Sequence, residues 1–188
     1  AKDDAAKAAL HKPVDVAIAG IQHGDFRELS ADIADNSVDL IFTDPPYDRE
    51  SIPLFGDAAR IAARILKPGG SLICYVGQLQ LPEVLPLMAA HLRYWWCGYF
   101  LHADKLARMQ EYGVIVHGKP MLWFTKGARG DRQTFVDDVV SGGREKGNHP
   151  WQQAESEAAY YIEKMTAPGG LVVDFFLGGG TTAVAAEN

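Results

Sequence analysis

The sequence predicts an α/β fold in which helices cover both faces of a doubly wound, mostly parallel sheet. Short apolar runs alternate with amphipathic segments, and most of these runs end in Gly, Pro or Asp. Two aromatic-rich runs without a helix between them predict an antiparallel hairpin at one edge of the sheet. The 188 residues suit one domain, 1–188, and we expect this domain to continue past Asn188, because the last predicted helix has only just begun there.

Hydrophobic periodicity and Gly/Pro stops give the order of the elements. Strands are predicted over residues 14–21, 37–43, 71–76, 94–102, 112–125 and 171–176. Helices are predicted over residues 53–66, 81–92 and 152–165, and a last helix opens at Gly178–Gly180. The stretch 126–150 is Gly-rich, charged and unpatterned, which predicts a loop. The aromatic side chains of the run 94–100 are expected to pack in the core rather than to stack on bases.

Composition excludes several classes of protein. With 47% apolar and 22% charged residues the chain is not a disordered one, and no apolar run reaches the roughly 18 residues of a membrane span. Cys74 and Cys97 stand in apolar or aromatic surroundings without a CxxC spacing, which predicts reduced thiols and a cytoplasmic protein. The histidines lack metal-ligand spacing, so no metal site is predicted.

Charge is unevenly distributed along the chain. The net charge of −6 opposes nucleic-acid binding when it is taken alone. Residues 93–149, however, carry nine Lys and Arg against six Asp and Glu, while the rest carry nine against eighteen. This asymmetry is typical of a protein with one phosphate-facing side, and a solvated loop rich in Lys and Arg explains it equally well.

The first motif is Asp44-Pro45-Pro46-Tyr47, directly after the buried strand predicted over 37–43. The two prolines make a stiff corner, and their carbonyls have no ladder partner. An exocyclic amino group is a double donor on a planar ring. Asp44 and the Pro45 carbonyl could accept its two hydrogens, and Tyr47 could stack on the ring. The motif could also be an ordinary turn with a purely structural role, but its position at the end of a buried strand favours a functional site.

The second motif is DFFLGGGTT over residues 174–182, between a predicted strand and a predicted helix. Glycines at such a junction let a ligand approach the backbone and the helix N-terminus. The spacing Gly178-x-Gly180-x-x-Ala183 also fits the dinucleotide fingerprint, so a nicotinamide or flavin cofactor stays open on this motif alone. No Lys-Ser/Thr follows the last glycine, so the loop is not the phosphate loop of nucleotide triphosphatases.

Together the two motifs resemble those of the amino-group DNA methyltransferases. The order, with DPPY before DxFxGxGTT, resembles the permuted β class of that family. The segments His23-Gly24-Asp25, 66–70 (LKPGG) and His149-Pro150 are similar to further motifs of the family. The resemblance therefore covers most of the chain.

The resemblance implies a circularly permuted methyltransferase sheet with S-adenosylmethionine across its carboxyl edge. The implied cofactor-binding residues are Asp25, Asp44, Asp174, Phe176, Gly178, Gly180, Thr181 and Thr182. The implied catalytic residues are Asp44, Pro45, Pro46 and Tyr47, which would hold a base flipped out of DNA. The implied reaction is site-specific methylation of N6 of adenine, as in restriction-modification systems, by direct transfer from the sulfonium.

Several alternatives stay open at this point. N4 of cytosine is the second choice, because both amines have the same donor geometry, and RNA is a third substrate class. Phe175 and Gly179 stand where the family usually has Pro and Ser, and the His149-Pro150 segment lacks the Lys that the family usually has in this motif. These departures motivate a catalytically inactive nucleic-acid-binding module. The loop 126–150 replaces a target-recognition domain, so a separate specificity partner and a homodimer are both compatible with the sequence.

Overall fold

The computed structural model describes residues 20–101, 107–129, 134–141 and 155–187. The strands are β1 (Val38–Thr43), β2 (Leu66–Tyr75), β3 (Arg93–Leu101), β4 (Ala107–Met109), β5 (Val114–Val116), β6 (Gly118–Thr125), β7 (Val139–Ser141) and β8 (Val172–Val173). The helices are α1 (Phe26–Leu29), α2 (Ile52–Ile65), α3 (Leu81–Ala89), α4 (Glu155–Met165) and α5 (Thr181–Glu187). The strand predicted over 14–21 lies outside the described residues.

Six strands form one sheet in the order β7-β3-β6-β2-β1-β8. All of them run in one direction except β6, which is antiparallel to both of its neighbours. The predicted fold class is confirmed, including the antiparallel pair of β3 and β6. This pair lies one position in from the edge, because the short β7 pairs with the outer side of β3. A separate small hairpin, β4–β5, lies between β3 and β6 in the chain.

Both faces of the sheet are covered, as a doubly wound fold requires. Side chains alternate along β2, so that Leu72 and Cys74 join a core with α2 and α3, whereas Ile73 and Tyr75 join a core with α4 and α5. The first core is larger and is held by the apolar face of α2. None of the described helices is long and apolar enough to cross a membrane.

Helix α2 follows its sequence pattern closely. Pro53 occupies the first turn, where its missing N–H costs nothing, and Phe55, Ala58, Ala62 and Ile65 form one buried stripe. The expected stop at residues 67–70 proves to be the beginning of β2. Opposite β1 this segment is bulged, and backbone hydrogen bonds between it and Lys126 bind it to the end of β6.

Three predictions about strands and loops differ from the structure. The run predicted over 112–125 is divided into β5 and β6, and the loop predicted over 126–150 contains β7. The strand predicted over 171–176 is only two residues long, because side-chain hydrogen bonds of Asp174 organise the chain beyond it. The expectation of buried aromatics in β3 is wrong in part. Phe100 is buried, whereas Tyr94, Trp96 and Tyr99 are exposed.

Candidate functional site

The two sequence motifs lie side by side at one edge of the sheet. Strands β1 and β8 are parallel neighbours, so their carboxyl ends meet and each is followed by one of the motifs. The buried Thr43, the last residue of β1, donates a hydrogen bond of 2.6 Å from its hydroxyl to Asp174 Oδ1. This bond directly links the strand that ends in Asp44 to the loop that contains the glycines.

The corner after β1 is held by its own side chains. The Tyr47 hydroxyl donates a hydrogen bond to Asp44 Oδ1, and the Gln80 amide donates one of 2.8 Å to the Tyr47 carbonyl. Pro45 is buried and Pro46 is exposed. Asp44 and Tyr47 are both half-buried, so a carboxylate and an aromatic ring are presented together at the rim of the sheet.

Lys119 contacts this corner from β6, the antiparallel strand that is separated from β1 by β2. It is the second residue of β6, and its Nζ lies 2.9 Å from Asp44 Oδ1 and 3.0 Å from Oδ2. The ammonium also lies over two rings, 4.4 Å from the centroid of Tyr47 and 4.3 Å from that of Tyr75. Burial lowers the pKa of Lys119, and the charge of Asp44 acts in the opposite direction.

The loop after β8 is organised around Asp174. Its Oδ1 accepts the Thr43 hydroxyl and, at 3.0 Å, the backbone N–H of Phe176. Burial raises the pKa of Asp174, while these hydrogen bonds and one with Thr182 act to lower it. Gly178 and Gly180 have φ of +53° and +84°, a left-handed conformation that glycine adopts without strain. The space beside Gly180 is open, and a Cβ at Gly178 would make ordinary contact with the Phe176 carbonyl oxygen at 3.7 Å.

A cleft of about 650 Å³ lies beside this loop, between residues 20–33 and residues of the segment 170–187. Of the predicted cofactor-binding residues, Asp174 and Thr182 line it. Phe176 instead packs on Phe26, with ring centroids 5.0 Å apart, and Gly178, Gly180 and Thr181 form the loop above without lining the cleft. A volume of this size is in the usual range for small-molecule sites.

Asp25 caps helix α1 rather than lining the cleft. Its carboxylate accepts hydrogen bonds from the backbone N–H and the guanidinium of Arg27. The Arg27 side chain, followed by its backbone N–H, lowers the pKa of Asp25 to about 2. The adjacent residues Gly24 and Phe26 do line the cleft, so Asp25 lies at its border.

Behind the corner lies a second carboxylate. Glu157 on α4 is buried, and its Oε2 accepts a hydrogen bond of 2.5 Å from the Tyr75 hydroxyl. Burial raises the pKa of Tyr75, and the charge of Glu157 adds to this effect. The Tyr75 ring is one of the two that contact Lys119, and the charges of Asp44 and Glu157 both act on the Lys119 ammonium.

Other sequence predictions are tested only in part by the structure. His149-Pro150 and the basic residues Arg132, Arg144 and Lys146 lie outside the described residues. Arg129, which is described, stacks over Trp123 at 4.8 Å. Cys74 and Cys97 are free thiols. Within the described ranges no group of His, Cys, Asp and Glu is arranged to hold a metal ion.

Comparison with known proteins identifies what this arrangement is similar to. A family model described as a DNA methylase of the N6/N4 type matches residues 135–188. The type II methyltransferase M.BglII of Bacillus subtilis is 26% identical over 232 residues, covering 89% of this chain. The alignment spans 62% of that relative's length, so the chain corresponds to less than two thirds of it.

Solved structures agree on the fold. The cytosine-N4-specific PvuII DNA methyltransferase superposes with a TM-score of 0.73 at 21% identity, covering 87% of this chain and 76% of its own. The M1.HpyAVI–SAM complex gives a TM-score of 0.69 at 21% identity, with coverage of 89% and 87%. At this level of identity the likeness shows a shared fold.

Proposed function

We propose that this chain, which has two motifs that meet at one sheet edge and whose residues 135–188 match the N6/N4 DNA methylase family model, methylates DNA. The proposed methyl donor is S-adenosylmethionine and the proposed acceptor is the exocyclic amino group of a flipped base, with N6 of adenine as the preferred target. The observation that carries the proposal is the hydrogen bond from Thr43 to Asp174. It fixes the Asp44–Tyr47 corner beside the glycine loop, so that an acceptor base and a methyl donor would be neighbours.

The residues around the glycine loop fit S-adenosylmethionine. This cofactor has a flat adenine, a ribose and an amino-acid end that includes an ammonium. The cleft offers the apolar Phe175 and Leu177 together with the Asp174 carboxylate, and the open space beside Gly180 leaves the backbone accessible there. When bound, the cofactor supplies an electrophilic methyl group on a sulfonium. The M1.HpyAVI–SAM complex shares the fold, which supports the same ligand here.

The corner residues would hold the base. In this proposal the Asp44 carboxylate accepts a hydrogen bond from the exocyclic amine, and the Tyr47 ring stacks on the base. An amine that donates both hydrogens to fixed acceptors has its lone pair directed away from them, toward the methyl donor. As the methyl–sulfur bond breaks and the new N–C bond forms, the nitrogen would become cationic, and Asp44 would be placed to stabilise that charge and to receive the released proton.

Adenine is proposed over cytosine on one feature of the corner. Asp44 stands where resemblance associates Asp with adenine and Ser with cytosine. The PvuII enzyme, which shares the fold, is cytosine-N4-specific, so N4 of cytosine stays the second candidate. Both bases present an amine beside a ring nitrogen, and the corner as described accommodates either.

The remaining parts of the proposal concern where the enzyme acts and how it selects its target. We propose that a cytoplasmic enzyme with reduced Cys74 and Cys97 acts on DNA, in restriction-modification or a related use of DNA methylation. A specificity partner or a second copy of the chain would supply target selection where the loop 126–150 is short. The rival nicotinamide interpretation leaves the Asp44–Tyr47 corner without a role.

A matched pair of carboxylate variants tests the proposal. Asp44→Asn removes the acceptor charge and should lower methyl incorporation into DNA by about 100-fold or more, as loss of one preorganised electrostatic contact does. Asp35→Asn is the control, because Asp35 is ion-paired with Arg64 at 2.7 Å but is 65% exposed and belongs to neither motif. It should stay within about twofold of the unmodified protein.

Calorimetry with S-adenosylmethionine is carried out beside the methylation assays, because it distinguishes a loss of methyl transfer from a loss of cofactor binding. Saturable binding with an inactive Asp44→Asn variant supports the proposal. Undiminished transfer by Asp44→Asn contradicts the assigned role of the corner. If the unmodified protein neither binds the cofactor nor methylates DNA, the chain is an inactive nucleic-acid-binding module.

A further inference from the structure

The most unexpected contact of the site is made by Lys119, which no motif predicts. Its ammonium bonds both oxygens of Asp44 from a strand 75 residues further along the chain. The pair is shielded, with the Lys119 side chain 19% exposed and that of Asp44 29% exposed. At this depth an ion pair is screened much less than a surface pair.

The position of the ammonium is determined by the groups around it. The rings of Tyr47 and Tyr75 lie on it at 4.4 and 4.3 Å, and the neighbouring Pro120 stiffens the backbone that carries it. A lysine side chain usually retains many rotamers, and these contacts leave it few. Lys119 is therefore a fixed charge beside Asp44.

The charged and titratable groups around Asp44 lie on or next to five elements, including β6, which carries Lys119. Asp174 follows β8, and its pKa is raised mainly by burial, with the charge of Asp44 acting in the same direction. Glu157 on α4 interacts electrostatically with Lys119. Tyr47 donates to Asp44, and the buried Cys74 and Tyr75 on β2 also feel the Asp44 charge. Among the described residues, this neighbourhood thus contains three carboxyl groups, and the Lys119 ammonium interacts with two of them, Asp44 and Glu157.

We infer that Lys119 is a positioning residue that keeps the Asp44 carboxylate ionised and oriented toward the target amine. The inference rests on the proposed function. Without the ammonium, Asp44 would share a poorly hydrated corner with Glu157 and Asp174, and like charges in such a corner favour protonation of one of them. A protonated Asp44 presents a donor to the amine in place of an acceptor, which misaligns the nucleophile.

The test is the pH dependence of kcat/KM for Lys119→Met, a neutral side chain of similar length. The acid limb of its profile should move to higher pH by about 1 to 3 units, the usual effect of one adjacent opposite charge. Methylation should fall most at acid pH and recover as the pH rises, because hydroxide restores the Asp44 charge. Lys119→Arg keeps a cation and should keep the acid limb in place.

The matched control is Lys67→Met. Lys67 also bonds both oxygens of one aspartate, Asp39, at 2.8 and 2.7 Å, but it does so at the opposite end of the sheet. Its profile should superpose on that of the unmodified protein. A Lys119→Met profile that is lowered equally at every pH, with an unmoved acid limb, overturns the inference and makes Lys119 a packing residue.

A second measurement does not depend on turnover. Carbon NMR of the Asp44 carboxyl, assigned with Asp44→Asn, should give a higher titration midpoint in Lys119→Met than in the unmodified protein. An unchanged midpoint overturns the inference. If the midpoint is raised in Lys119→Met but the unmodified protein itself transfers no methyl group, the Lys119–Asp44 coupling is supported and the proposed function is contradicted. If Lys119→Met does not fold, Lys119→Gln takes its place in both measurements.

Discussion

At the scale of single residues, Thr43 connects the two halves of the site. Thr43→Val keeps the shape of this buried side chain and removes the hydroxyl that Asp174 accepts at 2.6 Å. A hydrogen bond to a charged group contributes about 1.5 to 3 kcal/mol. We expect S-adenosylmethionine to bind about tenfold more weakly, because the Asp174 carboxyl loses its orientation.

Isothermal titration calorimetry checks this expectation, with Thr134→Val as the control. Thr134 is exposed and lies outside both motifs. Unchanged affinity in Thr43→Val would mean that the link between β1 and the glycine loop does not position the cofactor.

A second prediction at this scale concerns the pH dependence of cofactor binding. Burial raises the pKa of Asp174 above its ordinary 3.8, so the free protein favours the neutral carboxyl more than an unfolded chain does. A cationic ligand favours the ionised form. Affinity for S-adenosylmethionine should therefore decrease as the pH falls through the raised pKa, with proton release on binding.

The pH dependence that Asp174 gives to folding stability is opposite in sign to that given by a salt-bridged aspartate. The contribution of Asp174 is fully present below 3.8 and is lost as the pH rises through its folded-state pKa. Calorimetry from about pH 4.5 to about pH 8 measures the binding part. Asp174→Asn should bind more weakly and without this pH dependence, and a variant that keeps the dependence would place its origin elsewhere.

Residues adjacent to a strand end could be identified from sequence, and their distant partners could not. Asp44, Tyr47 and Asp174 stand directly after apolar runs, and the structure brings them to one edge. Lys119 and Glu157 reach the corner through pairings set by the sheet order, which local patterns do not specify. The signal for Lys119 was a lone cation, between Gly118 and Pro120, at the start of an otherwise apolar strand.

At the scale of elements, Gly98 allows β3 and β7 to pair. A Cβ at this position would lie 2.7 Å from the Asp138 carbonyl and 2.8 Å from Met121 Cε. Gly98→Ala should therefore displace β7 and lower the free energy of unfolding by about 1 to 3 kcal/mol, the usual cost of overpacking. Urea unfolding followed by circular dichroism measures the change.

A glycine-to-alanine substitution inside a helix should change the free energy of unfolding in the opposite direction. Gly56 lies inside α2, where an added Cβ would make ordinary contact with Leu87 at 3.6 Å. Gly56→Ala should raise the free energy of unfolding by up to about 1 kcal/mol, because alanine loses less backbone entropy in a helix. Equal effects of the two alanines would show that close contact at Gly98 does not govern the pairing.

Elements with a strong period were predicted well, and elements held by long-range contacts were not. The stripe of α2 and the buried run of β1 have local causes, and their observed bounds lie within one residue of those predicted. The early start of β2 depends on pairing with Lys126, and β7 exists because β3 offers it an edge. The local sequences of β2 and β7 do not indicate which part of the chain each will pair with.

At the scale of the whole molecule, sheet order turns two distant motifs into one site. Thr43 and Asp174 are 131 residues apart and meet because β1 and β8 are parallel neighbours. Alternation of helices and strands was enough to predict this class of fold, since ligands of such sheets bind at the carboxyl ends of strands. The basic bias of residues 93–149 is a property of the sequence, and part of that segment lies outside the described residues.

The most direct test of the central claim is nucleoside mass spectrometry of unmethylated DNA after incubation with the protein and S-adenosylmethionine carrying a labelled methyl group. The proposal predicts labelled N6-methyladenine. Label on N4 of cytosine would retain the corner chemistry and change the base. A protein that binds the cofactor, yet leaves every exocyclic amine of DNA and of RNA unlabelled, would contradict the claim that the Asp44–Tyr47 corner presents an amine for methyl transfer.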